Sequence, residues 1–343
     1  MHHDKPLILA LTDGKAGHET QTQGIVQLLN QQQDFEVEWV TVNVPSKWIY
    51  RLLKWKLKFS CSTAWLSHFI SRQQLEKIKQ QNIAYIVSAG GNTLLANLLL
   101  KQELLKSALV KNIVASSLRG IAAHYFDVVF TIHASQENLE RYLYYPIAPN
   151  KMSGLALSKP QARKHLNLKS SDQVISVLIG ADTKTVKIGS AKQWGKILLG
   201  IREQYPQAQI LLTTSRRTPV SFEQELAIYC QQHAVLQKQD QVTWVAQGDT
   251  CDIRDYICAA DWVLCSSDST SMIAEVVMSS RKLLVFYDEN EDIQIKAQLK
   301  FLADHSWLSI FDDTQVYNLE KNIMNLHPQS HSEAIESKLQ GML

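Results

Sequence analysis

Cysteine is scarce in this 343-residue chain: five residues, at 61, 230, 251, 258 and 265, with no C-x-x-C pair. The odd count and scattered spacing exclude a disulfide framework and supply no zinc-ligand set, so a reducing cytosol is the expected compartment. Glycine (13) and proline (8) are also few, which excludes collagen-like, linker-rich and low-complexity designs. No run approaches the ~18 apolar residues of a membrane span, and the apolar stretch Leu7 to Leu11 is too short for a signal peptide. A soluble or peripheral protein is expected. Neither G-x-G-x-x-G nor the G-K-S/T ending of a P-loop is present, so NAD and ATP readings lose ground.

What remains is core material and an uneven charge distribution. Hydrophobic residues make up 45% and charged residues 20%, enough for globular folding and too little charge for disorder. The length fits two domains. The net charge of +2 conceals an imbalance between the halves. Residues 1–160 hold 17 Lys+Arg against 11 Asp+Glu (+6), and the rest hold 18 against 22 (−4). Between Glu38 and Glu76 there is no acid, while Lys47, Arg51, Lys54, Lys56 and Lys58 interleave with Trp48, Trp55 and other large apolar residues. Such a segment fits an anionic membrane surface, the rings entering the headgroup boundary while the cations meet lipid. An ordinary amphipathic helix packed on its own domain would read the same way. Nucleic acid is not expected as a partner, because the bases occupy one short segment of a nearly neutral chain.

Strand-like runs at 6–12, 35–42, 83–88, 109–115 and 128–131 alternate with helix-period stretches such as 19–33 and 92–106. After residues 145–150 the alternation restarts, with strands expected near 174–179, 208–213, 242–245, 262–265 and 283–287. Alternation of this kind gives an α/β fold of two doubly wound, Rossmann-like domains. We expect an N-terminal domain over 1–150, a C-terminal domain over 151–315, and a helical segment over 316–343 that can pack back on the first. In open parallel sheets ligands bind beyond the carboxyl ends of the strands, so the loops that follow strands are the candidates.

In the first half two such loops contain glycine. Asp13-Gly14-Lys15-Ala16-Gly17-His18 precedes one helix and Gly90-Gly91-Asn92 precedes another, both able to present backbone N–H groups to an acceptor or phosphate. In the second half Thr183 and Lys184, then Ser215, Arg216 and Arg217, then Ser269, Ser271 and Met272, gather hydroxyls and cations suited to a diphosphate. Glu275 follows about one helical turn after Ser271, where a carboxylate can accept ribose hydroxyls. Each loop taken singly is also compatible with a solvated turn or helix cap.

The segments TDGKAGH with Gln21, Gln23 and Gly24, then IGADTK, TTSRRTP and SDSTSMIAEVV followed by Lys282 and Val285, resemble in order the blocks of the plant "elongate mitochondria" fission-protein family and its bacterial relatives. Ala181 departs from that pattern, where a second glycine is expected. The resemblance implies a GT-B-like fold whose two domains face a cleft. More remotely, the G-x-x-G-H loop is similar to that of the lipid II-forming N-acetylglucosaminyltransferase. The two resemblances together imply a glycosyltransferase moving a sugar from a nucleotide donor to a lipid-linked or membrane-anchored saccharide acceptor. On this reading the second-half residues hold the nucleotide sugar, and His18 or Asp13 deprotonates the acceptor. No D-x-D is present to suggest a metal, and no cofactor is expected beyond the nucleotide-sugar donor itself, which is a substrate. The expected location is cytoplasmic, peripheral on the inner face of the membrane. Two alternatives stay open: a non-catalytic peripheral membrane adaptor that keeps the fold, and a sugar-nucleotide epimerase.

Overall fold

Apolar runs buried on both faces become the strands of two parallel sheets. The computed structural model describes residues 5–106, 109–170, 172–287, 289–290 and 292–343. Tertiary contacts divide the chain into two units, Met1–Leu155 with Ser332–Leu343, and Ala156–His331.

The first unit runs β1 (Leu7–Thr12), α1 (Ala16–Gln32), β2 (Glu36–Thr41), α2 (Lys47–Lys56), α3 (Arg72–Lys79), β3 (Ile83–Ala89), α4 (Leu94–Leu104), β4 (Lys111–Ala115), β5 (Val128–Thr131) and β6 (Tyr142–Tyr144). Its six strands lie parallel in the order β2-β1-β3-β4-β5-β6. All six residues of β1 are buried, as expected for a central strand covered by helices on both faces. Helix α4 is apolar on every side, and Leu94, Leu95, Ala96, Leu98, Leu99 and Leu100 are all fully buried. Its one buried amide is satisfied: Asn97 donates to Ser88 Oγ at 3.0 Å and accepts from Asn112 Nδ2 at 2.8 Å. Those bonds tie α4 to the carboxyl end of β3 through Ser88 and to the amino end of β4 through Asn112.

The second unit runs α5 (Lys159–His165), β7 (Val174–Leu178), β8 (Val186–Lys187), α6 (Ala191–Gln204), β9 (Gln209–Thr213), α7 (Val220–Gln232), β10 (Gln241–Thr243), α8 (Ile253–Ala259), β11 (Trp262–Ser266), α9 (Thr270–Met278), β12 (Lys282–Phe286), β13 (Glu289–Asn290), α10 (Ile293–Asp304), β14 (Ser309–Phe311) and α11 (Leu319–Met324). Six strands again lie parallel, in the order β10-β9-β7-β11-β12-β14, while β8 and β13 form a separate antiparallel pair. Helix α6 begins with a reciprocal capping box between Ser190 and Gln193 and buries Trp194 against Phe286.

The expected C-terminal segment does not behave as one piece. Residues 316–331 cluster with the second unit, where Leu319 is fully buried. Only the last twelve residues, on α12 (His331–Gln340) and the tail, cluster with the first. There Ser332 Oγ accepts from the Gly154 N–H at 3.0 Å and Lys338 lies 3.6 Å from Glu137. The short strands β6 and β14 have no counterpart in the sequence reading, because three-residue edge strands carry too little alternation to be recognised.

Candidate functional site

Each sheet has a point where its connections diverge. In the first, β1 leads through α1 to β2 on one side and β3 leads through α4 to β4 on the other, so the loops after β1 and β3 meet at the switch point. Those are the two glycine loops. Asp13 Oδ1 accepts from His18 Nδ1 at 2.8 Å, and Asn92 Nδ2, from the second loop, donates to Asp13 Oδ2 at 2.7 Å. The Asp13 side chain is wholly enclosed, whereas His18 remains 25% exposed. Burial opposes ionisation of Asp13, but the hydrogen bonds from His18 and Asn92, the charge of His18 and the Lys15 N–H outweigh it and hold the carboxyl below its ordinary value. An ionised Asp13 requires the proton of neutral His18 to sit on Nδ1, which leaves the Nε2 lone pair free.

Gly90 makes this arrangement possible. It has φ +81°, and a Cβ there would collide with the His18 ring. The first loop is less of an anion cradle than its glycines imply. The Gly14 N–H goes to Thr12 Oγ1 at 2.9 Å, the Lys15 N–H to Asp13, and the His18 and Glu19 N–H groups to the Lys15 carbonyl. Gly17 lies inside α1. Thr12 donates in turn to Glu19 at 2.8 Å, so the loop's donors serve mainly to brace the dyad.

Two cavities adjoin this centre. One, of about 230 Å³, lies beyond the carboxyl ends of β4 and β5 and is lined by Ser116, Thr131, His133, Gln136 and Tyr145 together with Gln21, which stands three residues beyond His18 on α1. The other, of about 350 Å³, includes Asn92 and faces α2. Helix α2 presents Trp48, Leu52 and Trp55 outward, at 79%, 50% and 56% exposure, and buries Leu53. Phe59 just beyond the helix is also exposed, as are Lys56 and Lys58. Lys47, Arg51 and Lys54, read from sequence as membrane-surface residues with the others, also line the cavity.

In the second sheet the connections diverge between β7 and β11, and the loops after β7, β9 and β11 converge on a residue to which the sequence reading gives no role, Asp268. Its enclosed carboxylate accepts from Ser266 Oγ at 2.6 Å, from the Ala181 N–H at 3.2 Å and from Arg217 Nη2 at 2.8 Å. Gly180 leaves room for it, since a Cβ there would overlap the carboxylate. Thr218 completes the junction, donating to the Gly180 carbonyl at 2.7 Å. Asp268 was visible as the acid within SDS, but nothing in the sequence shows that a carboxylate can be the hub of three loops.

The candidate donor residues consequently divide. Arg217 is ion-paired to Asp268, with 54% of its side chain exposed, so only part of its guanidinium fork faces outward. Lys184 and Arg216 are exposed on neighbouring loops. Thr183 Oγ1 accepts from the Val186 N–H at 3.0 Å, and Ser215 Oγ accepts from the Arg217 N–H at 3.2 Å, so both hydroxyls close their own turns. Ser269 caps α9 and lies 3.3 Å from Ser271, which is exposed, while Met272 is half-buried and Glu275 is buried on the same helix. A larger cavity in this unit opens at the amino ends of β7, β11 and β12, where Lys159 and Arg163 pair with Asp261. It lies at the end of the sheet away from the polar loops, and Lys159, Arg163 and Asp261 are already paired with one another. Among the described residues no cluster of three or more His, Cys, Asp or Glu could hold a metal ion, and no helix is long and apolar enough to cross a membrane.

Two doubly wound parallel sheets, each with its polar loops at the switch point, define a GT-B-type α/β protein. The chain belongs to the mitochondrial fission ELM1 family, whose model matches residues 16–332. No curated protein matches it. Among solved structures it is similar to the UDP-GlcNAc 2-epimerase of Methanocaldococcus jannaschii, at 12% identity and TM-score 0.52 over 98% of this chain and 99% of that one. A putative UDP-N-acetylglucosamine 2-epimerase of Listeria monocytogenes aligns at 9% identity and TM-score 0.51 over 96% and 91%. MurG of Acinetobacter baumannii aligns at 14% identity and TM-score 0.43 over 98% and 95%. At these identities the likeness concerns the fold.

Proposed function

We propose that the protein is a glycosyltransferase that moves a sugar from a nucleotide donor to a saccharide acceptor carried on a lipid or membrane, without a metal. The observation that carries this reading is the Asp13–His18 pair at the first switch point, with His18 Nε2 free and partly exposed. A buried carboxylate that fixes the tautomer of a histidine is what a general base needs to take a proton from an acceptor hydroxyl as that oxygen attacks the donor sugar. The wholly enclosed Asp13 side chain cannot itself reach an acceptor, so it serves as a positioning residue. In the second unit Lys184, Arg216 and the outward part of Arg217 meet the charge that develops on the departing nucleoside diphosphate. The cavity beside Gln21, rich in hydroxyl and amide groups, is suited to the acceptor saccharide.

Two of the similar structures are a UDP-GlcNAc 2-epimerase and a putative one, and the discriminating experiment follows from that. A thermal-shift screen of UDP, CMP, GDP and ADP sugars identifies the donor, because a ligand at 100 times its dissociation constant adds about 2.7 kcal/mol. Incubation of that donor with a lipid extract then separates the readings. Label appearing in lipid supports transfer, an isomerised sugar supports epimerisation, and no nucleotide binding at all leaves the adaptor. In calorimetry Arg216→Ala is expected to weaken donor binding by about 1.5–3 kcal/mol, the contribution of a charged hydrogen bond. Unchanged affinity in Arg216→Ala, Lys184→Ala and Arg217→Ala would remove the donor assignment.

The outward face of α2 is proposed to lie on an anionic membrane. Lys56 and Lys58 contribute about 1 kcal/mol each near such a surface, and Trp48, Trp55 and Phe59 add apolar burial. Co-sedimentation with phosphatidylglycerol vesicles should fall as salt rises, because the charge component is screened. It should also fall in a folded variant carrying Trp48→Ser, Trp55→Ser, Lys56→Glu and Lys58→Glu. Equal sedimentation of variant and wild type would make the face a solvated surface.

A further inference from the structure

We infer that the cavity between α2 and the Gly90–Asn92 loop is an anion subsite that seats the diphosphate of a phosphorylated acceptor, an inference that rests on the transferase reading and narrows its acceptor to a glycosyl diphosphate. Lys47, Arg51, Lys54 and Arg119 all line this space of about 350 Å³, and no carboxylate does. None of the four has an ion-pair partner among the described residues. Four like charges around one small cavity repel, and an anion of charge −2 bound among them relieves that repulsion.

The cations are held in place by the fold. Positions 47, 51 and 54 fall on one face of α2 and Trp48, Leu52 and Trp55 on the adjoining one, and the Arg51 guanidinium lies over the Trp48 ring, 5.9 Å from its centroid, where the two faces meet. Lys54 Nζ donates to the Arg119 carbonyl at 2.8 Å. Arg119 adopts φ +51°, uncommon for a residue with a Cβ, and its guanidinium lies so close over Gly91 that a Cβ at 91 would overlap it. Tyr50 donates to the Gly91 carbonyl at 2.6 Å, and burial pushes its hydroxyl up to about 12, so it remains a neutral donor. Asn92 belongs both to the cavity wall and, through its bond to Asp13, to the dyad. An anion in this cavity therefore lies against Asn92, the residue that also holds the dyad's carboxylate. A purely neutral acceptor has no use for such a wall, whereas a sugar linked through a diphosphate carries an anion on the same ring as its reacting hydroxyl.

Arg119 escapes the sequence reading because the loop Ser116-Ser117-Leu118-Arg119-Gly120 contains a single cation, and only the fold brings it to the three on α2. The test is calorimetric titration of the full chain with inorganic pyrophosphate, inorganic phosphate and phosphatidylglycerol vesicles, using wild type, Arg51→Gln, Arg119→Gln and Arg216→Gln. Expected are saturable pyrophosphate binding, tighter than phosphate, a loss of about 10-fold or more in both Arg51→Gln and Arg119→Gln, and retention in Arg216→Gln. Arg51 is exposed, so its variant reports on binding even if Arg119→Gln misfolds. Absence of pyrophosphate binding overturns the inference, as does unchanged affinity in Arg51→Gln. Loss confined to Arg216→Gln assigns the anion to the donor loops and overturns the inference while leaving the transferase reading intact. Weaker vesicle binding in Arg51→Gln with no pyrophosphate binding makes the cluster a headgroup surface and overturns it likewise. Failure of every nucleotide sugar to bind would sink the transferase reading without touching the pyrophosphate result.

Discussion

Replacing His18 by Ala is expected to lower turnover by ~10² or more while leaving nucleotide affinity near the wild-type value, because general-base catalysis contributes about that factor and the donor loops belong to the other unit. Asp13→Asn should come close to the same loss for a different reason. With the carboxylate gone, the amide can present either its oxygen or its nitrogen to His18 Nδ1, and the latter puts the imidazole proton on the nitrogen that must accept one. Asn92→Ala removes the donor that holds Asp13 Oδ2 and should produce a smaller loss than either. Steady-state kinetics on the donor found in the screen, with donor affinity measured in parallel, checks the series. Full activity in His18→Ala would mean that the base lies elsewhere, and full activity in Asp13→Asn would mean that the tautomer is set by something other than the carboxylate.

How much of this is legible in the sequence differs between the two halves. The alternation of apolar strands with helices is strong wherever strands are central, and β5 and β11 are expected within a residue of where they lie. It fails for β8, β13 and β14, which are two or three residues long. In the first half the candidate residues Asp13, His18, Gly90 and Asn92 converge, because the rule that strand carboxyl ends carry the ligand selects loops and a parallel sheet brings those loops together. The role of Gly90 is different from the one its sequence implies. It admits a ring, whereas the sequence reading places it in a loop that presents backbone N–H groups to an acceptor or phosphate. In the second half the same rule finds the loops but does not show which of their groups already have partners. Thr183, Ser215 and Ser269 spend hydrogen-bonding capacity on their own turns and cap, and Arg217 spends part of its fork on Asp268. Sequence shows which groups are polar. It does not show which are already satisfied, because that depends on partners dozens of residues away.

Gly90 offers a test of the geometry that no substitution at a polar residue provides. Gly90→Ala adds one methyl group, removes no hydrogen-bonding side chain, and is expected to reduce turnover nearly as much as His18→Ala. Two effects combine there. The backbone sits at φ +81°, where an L-residue costs about 1–2 kcal/mol, and the new Cβ occupies the space of the His18 ring, so the imidazole must leave its place against Asp13. Gly14→Ala is the natural control. It has nearly the same backbone, φ +77°, but nothing within 4 Å of its Cβ position. It should therefore lose about the same stability while keeping most of its activity. Melting temperature and turnover measured on the two variants separate strain from displacement. Equal loss of activity in both would mean that backbone strain in the loops is responsible, and the close approach of His18 to Gly90 would then have no bearing on catalysis. A large loss at 90 with a small one at 14 ties activity to the seat of one imidazole ring.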